Sequence, residues 1–178
     1  MKPDEQGTRE LGKCCYQAIP RTLIFVTSVN PDDGEEEILL IKGAPNKRLW
    51  ANKHNGLGGH VEVDEDILAA AQRELYEETG LDIPGLQMRG VVNIDTGRDE
   101  AGQRPGVLMF VFTGRSDTRE VVTTAEGVPQ WIPITMLENL PLVDDLYEVI
   151  PRALAAGPIF FGHYQPVQSG HMHYHFQP

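Results

Sequence analysis

One helix is signalled more strongly than any other element of this chain, and it limits what the chain can fold into. Asp66 is a favourable N-cap residue and Gly80 a favourable C-terminal stop, so we predict a helix from Ile67 to about Thr79. Apolar residues with helical spacing predict its buried stripe: Leu68, Ala71 and Leu75. A helix with one apolar face has to pack on another layer of structure.

Strand-like segments lie on both sides of this helix. Thr22–Val29 and Ile38–Lys42 precede it, and Gly90–Ile94 and Val107–Gly114 follow it. A second helix is predicted over Asp144–Ala155, where Pro151 is expected to interrupt it. This order of elements indicates a mixed α/β (α+β) domain.

The domain boundaries follow from changes in polarity along the chain. Residues 1–16 are polar and aperiodic and are predicted to be a flexible N-terminal tail. We expect residues 17–178 to form a single domain that ends in a C-terminal hairpin, turning at residues 168–170. His171, His173 and His175 alternate near the end of the chain, so on a strand they would share one exposed side.

Three glutamates of the predicted helix have the spacing of a metal site. Glu74, Glu77 and Glu78 stand at i, i+3 and i+4, so their carboxylates lie on one arc of the helix. Clustered carboxylates repel one another, but their oxygens are the ligands that Mg²⁺ prefers. The alternative is a solvated acidic face without a ligand.

The loop before the helix adds residues that suit such a site. Gly58 and Gly59 let the backbone approach a metal or a phosphate closely, and a loop carbonyl there can join the coordination sphere. We interpret Glu65 and Arg73 as a structural pair that ties this loop to the helix.

The composition of the chain argues against several classes of binding partner. The 15 basic and 26 acidic residues give a net charge of −11, which argues against nucleic-acid binding through a basic face. No apolar run approaches the ~18–20 residues of a membrane span, and the polar segment MKPDEQGTRE does not contain the apolar stretch typical of a signal peptide. The two cysteines, Cys14 and Cys15, are adjacent and seldom bridge in that arrangement. We therefore expect a cytoplasmic protein, a monomer or homodimer, without a membrane or nucleic-acid partner.

The segment Gly59–Leu81 resembles the signature of one known family. Its pattern Gly59-x5-Glu65-x7-Arg73-Glu74-Leu75-x-Glu77-Glu78-x-Gly80-Leu81 is similar to the Nudix box of the Nudix hydrolases. The resemblance implies an α/β/α sandwich with a mixed central sheet and the box as a loop-helix-loop. It also implies cleavage of a nucleoside diphosphate linked to a further group by water, with Mg²⁺ or Mn²⁺.

The resemblance also assigns roles to individual residues. Glu74, Glu77 and Glu78 become the catalytic metal ligands, with a carbonyl from Gly58, and Glu65 and Arg73 keep an orienting role. Glu74 is the first candidate for the general base. In some relatives the base comes from a loop outside the box, which here would be Glu120 or, better placed and also a metal-ligand candidate, Glu126.

Substrate choice is expected to depend on residues outside the box. The stretch from Gly127 to Phe176 looks like the oxidised-purine nucleoside triphosphatases (8-oxo-dGTP diphosphatases, the MutT-like branch). That likeness implies substrate contacts from Lys42, Asn55, Gly59, Asp144 and Asp145. A carboxyl accepts from a purine N–H and, when protonated, also donates. The alternative for Asp144 is a helix N-cap.

Three functions remain open from the sequence. The first is a Mg²⁺-dependent pyrophosphohydrolase that converts a nucleoside triphosphate, with oxidised purine nucleotides of the 8-oxo-dGTP type as candidates, to monophosphate and pyrophosphate. The second is a pyrophosphatase for ADP-ribose or another nucleoside-diphosphate metabolite. The third is a catalytically inactive ligand sensor, which would be expected to lack box carboxylates that this chain retains.

Overall fold

The computed structural model describes residues 16–44, 50–100, 102–124, 127–167 and 171–177. Within these ranges the chain forms ten β-strands, two α-helices and one 3₁₀ helix. Their bounds are β1 Ala18–Val29, β2 Glu36–Gly43, β3 His54–Asn55, α1 Ile67–Thr79, β4 Gln87–Ile94, β5 Arg98–Asp99, β6 Gly102–Gln103, β7 Gly106–Arg115, β8 Gly127–Pro133, the 3₁₀ helix Ile134–Asn139, α2 Leu146–Leu154, β9 Phe160–Pro166 and β10 Met172–Gln177.

A mixed central sheet carries the fold, as predicted. Its strand order is β10-β9-β4-β7-β1-β2-β3, and β8 pairs with β2. The pairs β1–β7 and β4–β9 are parallel, and the other pairs in this sheet are antiparallel. The short strands β5 and β6 form a separate two-stranded hairpin.

Strand β1 shows why a helix covers each face of the sheet. Its side chains alternate between two cores. Ile24 and Val26 pack with residues of α1, whereas Leu23 and Phe25 pack with residues of α2. All four side chains are buried. Because both faces of β1 are apolar, the stable arrangement is an α/β/α sandwich.

The glycine-rich loop enters the sheet where β1 and β2 separate. The two strands pair only from Val26 to Val29 on the β1 side. Before that point, β1 instead bonds the loop: the nitrogen of Ile24 donates to the carbonyl of Leu57 at 2.7 Å, and the nitrogen of Thr22 to Gly59 at 2.9 Å. The loop backbone is therefore fixed by the sheet before it enters α1.

Helix α1 begins and ends where its capping residues predict. The Asp66 carboxylate accepts from the nitrogens of Leu68 and Ala69, and Gly80 adopts the left-handed conformation with φ +77°. Ala71 and Leu75 are buried, but the prediction that Leu68 is buried was wrong, because its side chain is 39% exposed. In the first turn of α1 it is the neighbouring Ile67, and not Leu68, that packs against the core.

Helix α2 corrects the predicted interruption at Pro151. The helix starts two residues later than predicted and runs through this proline to Leu154. Val149, Ile150 and Ala153 are buried in the core on the second face of the sheet. Packing of this apolar face outweighs the hydrogen bond that Pro151 cannot donate.

At the C-terminal end β9 and β10 pair antiparallel. Tyr174 and Phe176 pack against the core, whereas His171, His173 and His175 are exposed. The turn between the strands, and residues 1–15 with both cysteines, lie outside the described residues, so the domain boundaries stay a prediction. In the described ranges no helix has the length and apolarity needed to cross a membrane.

Candidate metal centre and active site

The loop and α1 form the walls of one cleft. Its volume is about 420 Å³. It brings together the loop glycines and helix glutamates that the sequence pattern indicates, with neighbours from β1 and from the segment before β8. The lining residues are Arg21, Gly58, Gly59, His60, Glu74, Glu77, Glu78 and Thr124.

Arg73 organises the carboxylates beside this cleft. Its Nε and Nη2 donate to Glu65 at 3.0 and 2.7 Å. Its Nη1 donates to Glu74 at 2.9 Å and to Glu77 at 3.2 Å, and Nη2 also donates to the carbonyl of His60 at 3.0 Å. One guanidinium thus binds the loop and the helix together, which its planar set of five donors makes possible.

This arrangement shifts the protonation equilibria of both partners. Hydrogen bonds from Arg73, and then from the backbone nitrogen of Glu62, lower the pKa of Glu65 to about 2. Hydrogen bonding to Glu65, with a smaller contribution from Glu74, raises the pKa of Arg73. The pair therefore stays charged at neutral pH, and the loop stays attached to the helix.

Glu78 makes a second connection between helix and loop. Its Oε2 accepts from the nitrogen of Gly58 at 2.8 Å, and the residue is only 8% exposed. Gly58 has φ +124°, and a Cβ there would lie 2.4 Å from the carbonyl oxygen of Thr22. Only glycine allows the backbone to come this close to β1 and still face Glu78.

Gly59 makes room for the first glutamate of the cluster. A Cβ on Gly59 would lie 2.5 Å from the carboxyl carbon and both carboxyl oxygens of Glu74. The Glu74 carboxylate therefore rests against the loop backbone, with its side chain 16% exposed, whereas Glu77 on the rim is 59% exposed.

The donor chemistry of the cleft fits a hard divalent cation. Carboxylate oxygens from Glu74, Glu77 and Glu78 line it. Gly59 has no side chain and so leaves space beside the carboxyl group of Glu74. Among the described residues no three His, Cys, Asp or Glu side chains already surround a single point. The reason is visible in the contacts: Glu74 and Glu77 turn toward Arg73, and Glu78 toward Gly58.

The two residues predicted to contact the purine, Asp144 and Asp145, are not among the described residues that line the glutamate cleft. Asp144 forms an ion pair with Lys53, and Asp145 accepts from the hydroxyl of Tyr164 at 3.1 Å. The N-cap alternative for Asp144 was wrong, since the N-cap position is Asp145, whose side chain makes no capping hydrogen bond within the described residues. Burial raises the pKa of Asp145, partly offset by the Tyr164 hydrogen bond.

The other predicted substrate contacts flank β3. Lys42 is exposed and pairs in register with His54. The Asn55 side-chain oxygen accepts from the nitrogen of Gly56 at 2.9 Å, which holds the start of the glycine loop. These contacts do not bring the side chain of Lys42 or Asn55 to Glu74, Glu77 or Glu78.

His54 has a structural role that the sequence did not indicate: it joins β3 to the segment before Asp144. It is 4% exposed. Its nitrogen donates to the carbonyl of Pro141 at 2.8 Å, and its carbonyl accepts from Val143 at 2.9 Å. Its ring Nε2 lies 2.9 Å from the side-chain oxygen of Gln130. No local pattern indicates this role, because each partner comes from a distant segment.

Two loop glutamates, Glu120 and Glu126, are the alternative candidates for the general base. Glu120 is exposed and is not among the described residues that line the cleft. Glu126 lies outside the described residues. Thr124, which lines the cleft, precedes it by two positions.

Comparison with known proteins gives a consistent family match. Residues 21–153 match the family model described as "NUDIX domain". Over 140 residues the chain is 29% identical to the ADPR responsive transcriptional repressor NtrR of Acinetobacter baylyi, covering 76% of this chain and 54% of that protein. It is 30% identical over 95 residues to the oxidized purine nucleoside triphosphate hydrolase of Danio rerio, covering 53% and 58%. The chain thus spans little more than half the length of these curated relatives.

Solved structures with the same fold include a MutT protein and the NUDIX domain of an NrtR protein. The Bacillus halodurans mutator MutT protein superposes with a TM-score of 0.73 at 20% identity, covering 90% of this chain and 98% of that one. The NUDIX domain of Shewanella oneidensis NrtR, solved with ADP ribose, has a TM-score of 0.65 at 18% identity, covering 86% and 97%. At this identity the likeness shows the fold alone.

Proposed function

The chain belongs to the NUDIX domain family, and from this premise we propose that it is a divalent-metal-dependent pyrophosphohydrolase that cleaves a nucleoside triphosphate to monophosphate and pyrophosphate. The observation that carries the proposal is the attachment of all three box glutamates around one cleft. Arg73 holds Glu74 and Glu77, and Gly58 holds Glu78. A cytoplasmic location remains a prediction.

Four residues would hold the metal. They are Glu74, Glu77 and Glu78 through their carboxylates and Gly58 through its carbonyl. Mg²⁺, or Mn²⁺, would supply charge neutralisation of the phosphates and activation of the attacking water. Arg73 contacts the carboxylates of Glu65, Glu74 and Glu77, and Arg21 and Glu78 also line the cleft. Four carboxylates against two guanidinium groups leave net negative charge to attract a divalent ion.

Glu74 is the proposed general base. Arg73 binds its Oε1, and Gly59 bounds its carboxyl group, so the orientation of the carboxylate is fixed by two elements. A base that is already oriented needs less reorganisation when the proton is transferred. Glu126 remains the loop alternative.

For the substrate we propose an oxidised purine nucleoside triphosphate. Asp144, paired with Lys53, would accept from a purine N–H. Burial raises the pKa of Asp145, which makes the protonated, donating form more accessible and so complements a purine carbonyl. Asn55 and Lys42 would contact the base or sugar and the phosphates. The Danio rerio relative's name supports this reading.

ADP-ribose is the second candidate ligand. The names of the Acinetobacter baylyi repressor and of the Shewanella oneidensis structure both refer to it. A sensor without catalysis is the alternative of another class, and the retention of Glu74, Glu77 and Glu78 weighs against it.

A substrate panel distinguishes these candidates. Purified protein with Mg²⁺ would be given 8-oxo-dGTP, dGTP, ADP-ribose and diadenosine polyphosphates, and the products separated by chromatography. We expect 8-oxo-dGTP to be converted fastest, to its monophosphate and pyrophosphate. Faster cleavage of ADP-ribose to two monophosphates would overturn the substrate proposal. Binding of ADP-ribose without turnover of any compound would overturn the enzymatic proposal.

A further inference from the structure

The C-terminal hairpin presents histidines that the proposed reaction does not use. In the register of β9 and β10, His163 lies directly opposite His175, and His173 lies opposite Gln165. The sequence pattern indicated only the alternation in β10, because His163 belongs to the other strand and its pairing depends on the register.

These imidazoles lie on the open face of the hairpin. Side chains of the opposite parity, Tyr164, Tyr174 and Phe176, pack against the core beneath α2 and contact one another edge-to-face. Successive strand residues point to opposite faces, so the histidines point away from that core. His175 is exposed and His163 half-buried.

We propose that His163 and His175 form a two-histidine binding site for a late first-row divalent ion, Ni²⁺, Cu²⁺ or Zn²⁺. Directly opposite residues in an antiparallel pair have Cβ atoms about 4.5–5.5 Å apart, a separation from which two imidazoles reach one ion. Imidazole nitrogen is a preferred ligand of these ions, whereas Mg²⁺ prefers oxygen. The site therefore selects a different metal from the carboxylate cleft.

The local charge permits a cation. Neither β9, with the sequence FFGHYQP, nor β10, with MHYHFQ, contains a lysine or arginine. In the part of the chain that the structure describes, no group of three metal-ligating side chains converges on one point, and the proposed site has two protein ligands, with water expected at the remaining positions. An open site with two protein ligands binds reversibly and follows the order of affinity Cu²⁺ above Ni²⁺ and Zn²⁺.

The test is a Ni²⁺ titration of the untagged protein, with Mg²⁺ in excess to occupy carboxylates, followed by NMR of the imidazole C–H signals. We expect paramagnetic broadening of the His163 and His175 signals at the lowest Ni²⁺ concentrations. His163→Ala and His175→Ala should each weaken binding about a hundred-fold, because one contact replaces a chelate.

His171→Ala is the matched control, since it removes an imidazole from the same hairpin outside the opposed pair. It should leave the affinity unchanged, and thermal unfolding should show that all three variants are folded. His163→Gln provides a second variant should the alanine disturb β9. Unchanged affinity in folded His175→Ala and His163→Gln, or equal weakening by His171→Ala, would overturn the proposal.

Discussion

The backbone nitrogen of Gly58 donates to Oε2 of Glu78 at 2.8 Å, so the carboxylate of a buried helix residue also fixes the loop that faces it. Structural and chemical roles of Glu78 can be separated by substitution. Gln keeps an oxygen that can accept from Gly58 but carries no charge, whereas Ala removes both.

Glu78→Gln should therefore keep the stability of the protein and lose its activity. We expect kcat to fall by about 10²–10³-fold, because a carboxylate proposed to hold the divalent cation is replaced by a neutral and weaker ligand. Glu78→Ala should in addition lose about 1–3 kcal/mol of unfolding free energy with the hydrogen bond to Gly58. Urea denaturation and steady-state kinetics measure the two effects, and equal stability of both variants would contradict the structural role.

Gly59→Ala should impair catalysis more than folding. The added methyl group would meet the carboxyl group of Glu74 at 2.5 Å, and a flexible carboxylate moves aside at little cost in stability. Its displacement should lower kcat about ten-fold or more, since small misplacements of reacting groups are costly. Gly85→Ala is the matched control, because no described atom lies within 4 Å of a Cβ there. A Gly59→Ala enzyme with normal kcat would contradict the assignment of Glu74.

Arg73→Lys should lower activity although the positive charge is retained. A lysine cannot reproduce the separate hydrogen bonds to Glu65, Glu74 and Glu77. One hydrogen bond to a charged group is worth about 1.5–3 kcal/mol. If its loss misplaces Glu74 or Glu77 and raises the activation barrier by this amount, kcat should fall ten-fold or more. Arg152→Lys provides the comparison, since Arg152 forms an exposed ion pair with Glu148 outside the cleft. Similar kcat in both variants would argue against an organising role for Arg73.

The pair Arg73–Glu65 should also give a measurable pH dependence of stability. The pKa of Glu65 is lowered from 4.5 to about 2 in the folded protein. Its contribution is therefore present above pH 4.5 and lost as the pH falls toward 2. The difference in unfolding free energy between wild type and Glu65→Gln should be largest near neutral pH and shrink through this window. A difference that is the same at pH 7 and pH 2.5 would show that the charge of Glu65 contributes nothing.

Asp144→Asn should change substrate selectivity without affecting the metal site. An amide presents a donor as well as an acceptor, so recognition of a purine N–H by a carboxylate is lost. We expect the ratio of kcat/KM for 8-oxo-dGTP over dGTP to fall about ten-fold, with the Mg²⁺ dependence unchanged. Asp117→Asn, at an exposed loop position, serves as control. An unchanged ratio would remove Asp144 from base recognition.

The sequence predicted the elements that are determined by residues close together in the chain. Asp66 and Gly80 fix the ends of α1, because capping involves residues only a few positions apart. Exposure of Leu68 could not be predicted, because it depends on how α1 is oriented on the sheet, which places Ile67 against the core instead. Pro151 was misjudged for the same reason, since burial of its neighbours in α2 is a property of the tertiary fold.

Contacts between distant segments account for the rest of what the sequence did not show. Lys53 meets Asp144 only because the chain returns to β3 after α1, the sheet and the 3₁₀ helix. The opposition of His163 and His175 likewise depends on the register of two strands. Neither pair leaves a periodic signal, because periodicity reports which face of one element is buried and not which side chains meet across elements.

Product analysis by ³¹P NMR, during incubation of the wild-type protein with a nucleoside triphosphate and either Mg²⁺ or EDTA, shows whether the cleft of Glu74, Glu77 and Glu78 is a metal-dependent pyrophosphohydrolase site. With Mg²⁺ we expect monophosphate and pyrophosphate to appear together, EDTA to stop their formation, and Glu77→Gln to slow it by about 10²–10³-fold. Formation of diphosphate and orthophosphate, or turnover that persists in EDTA, would contradict this assignment.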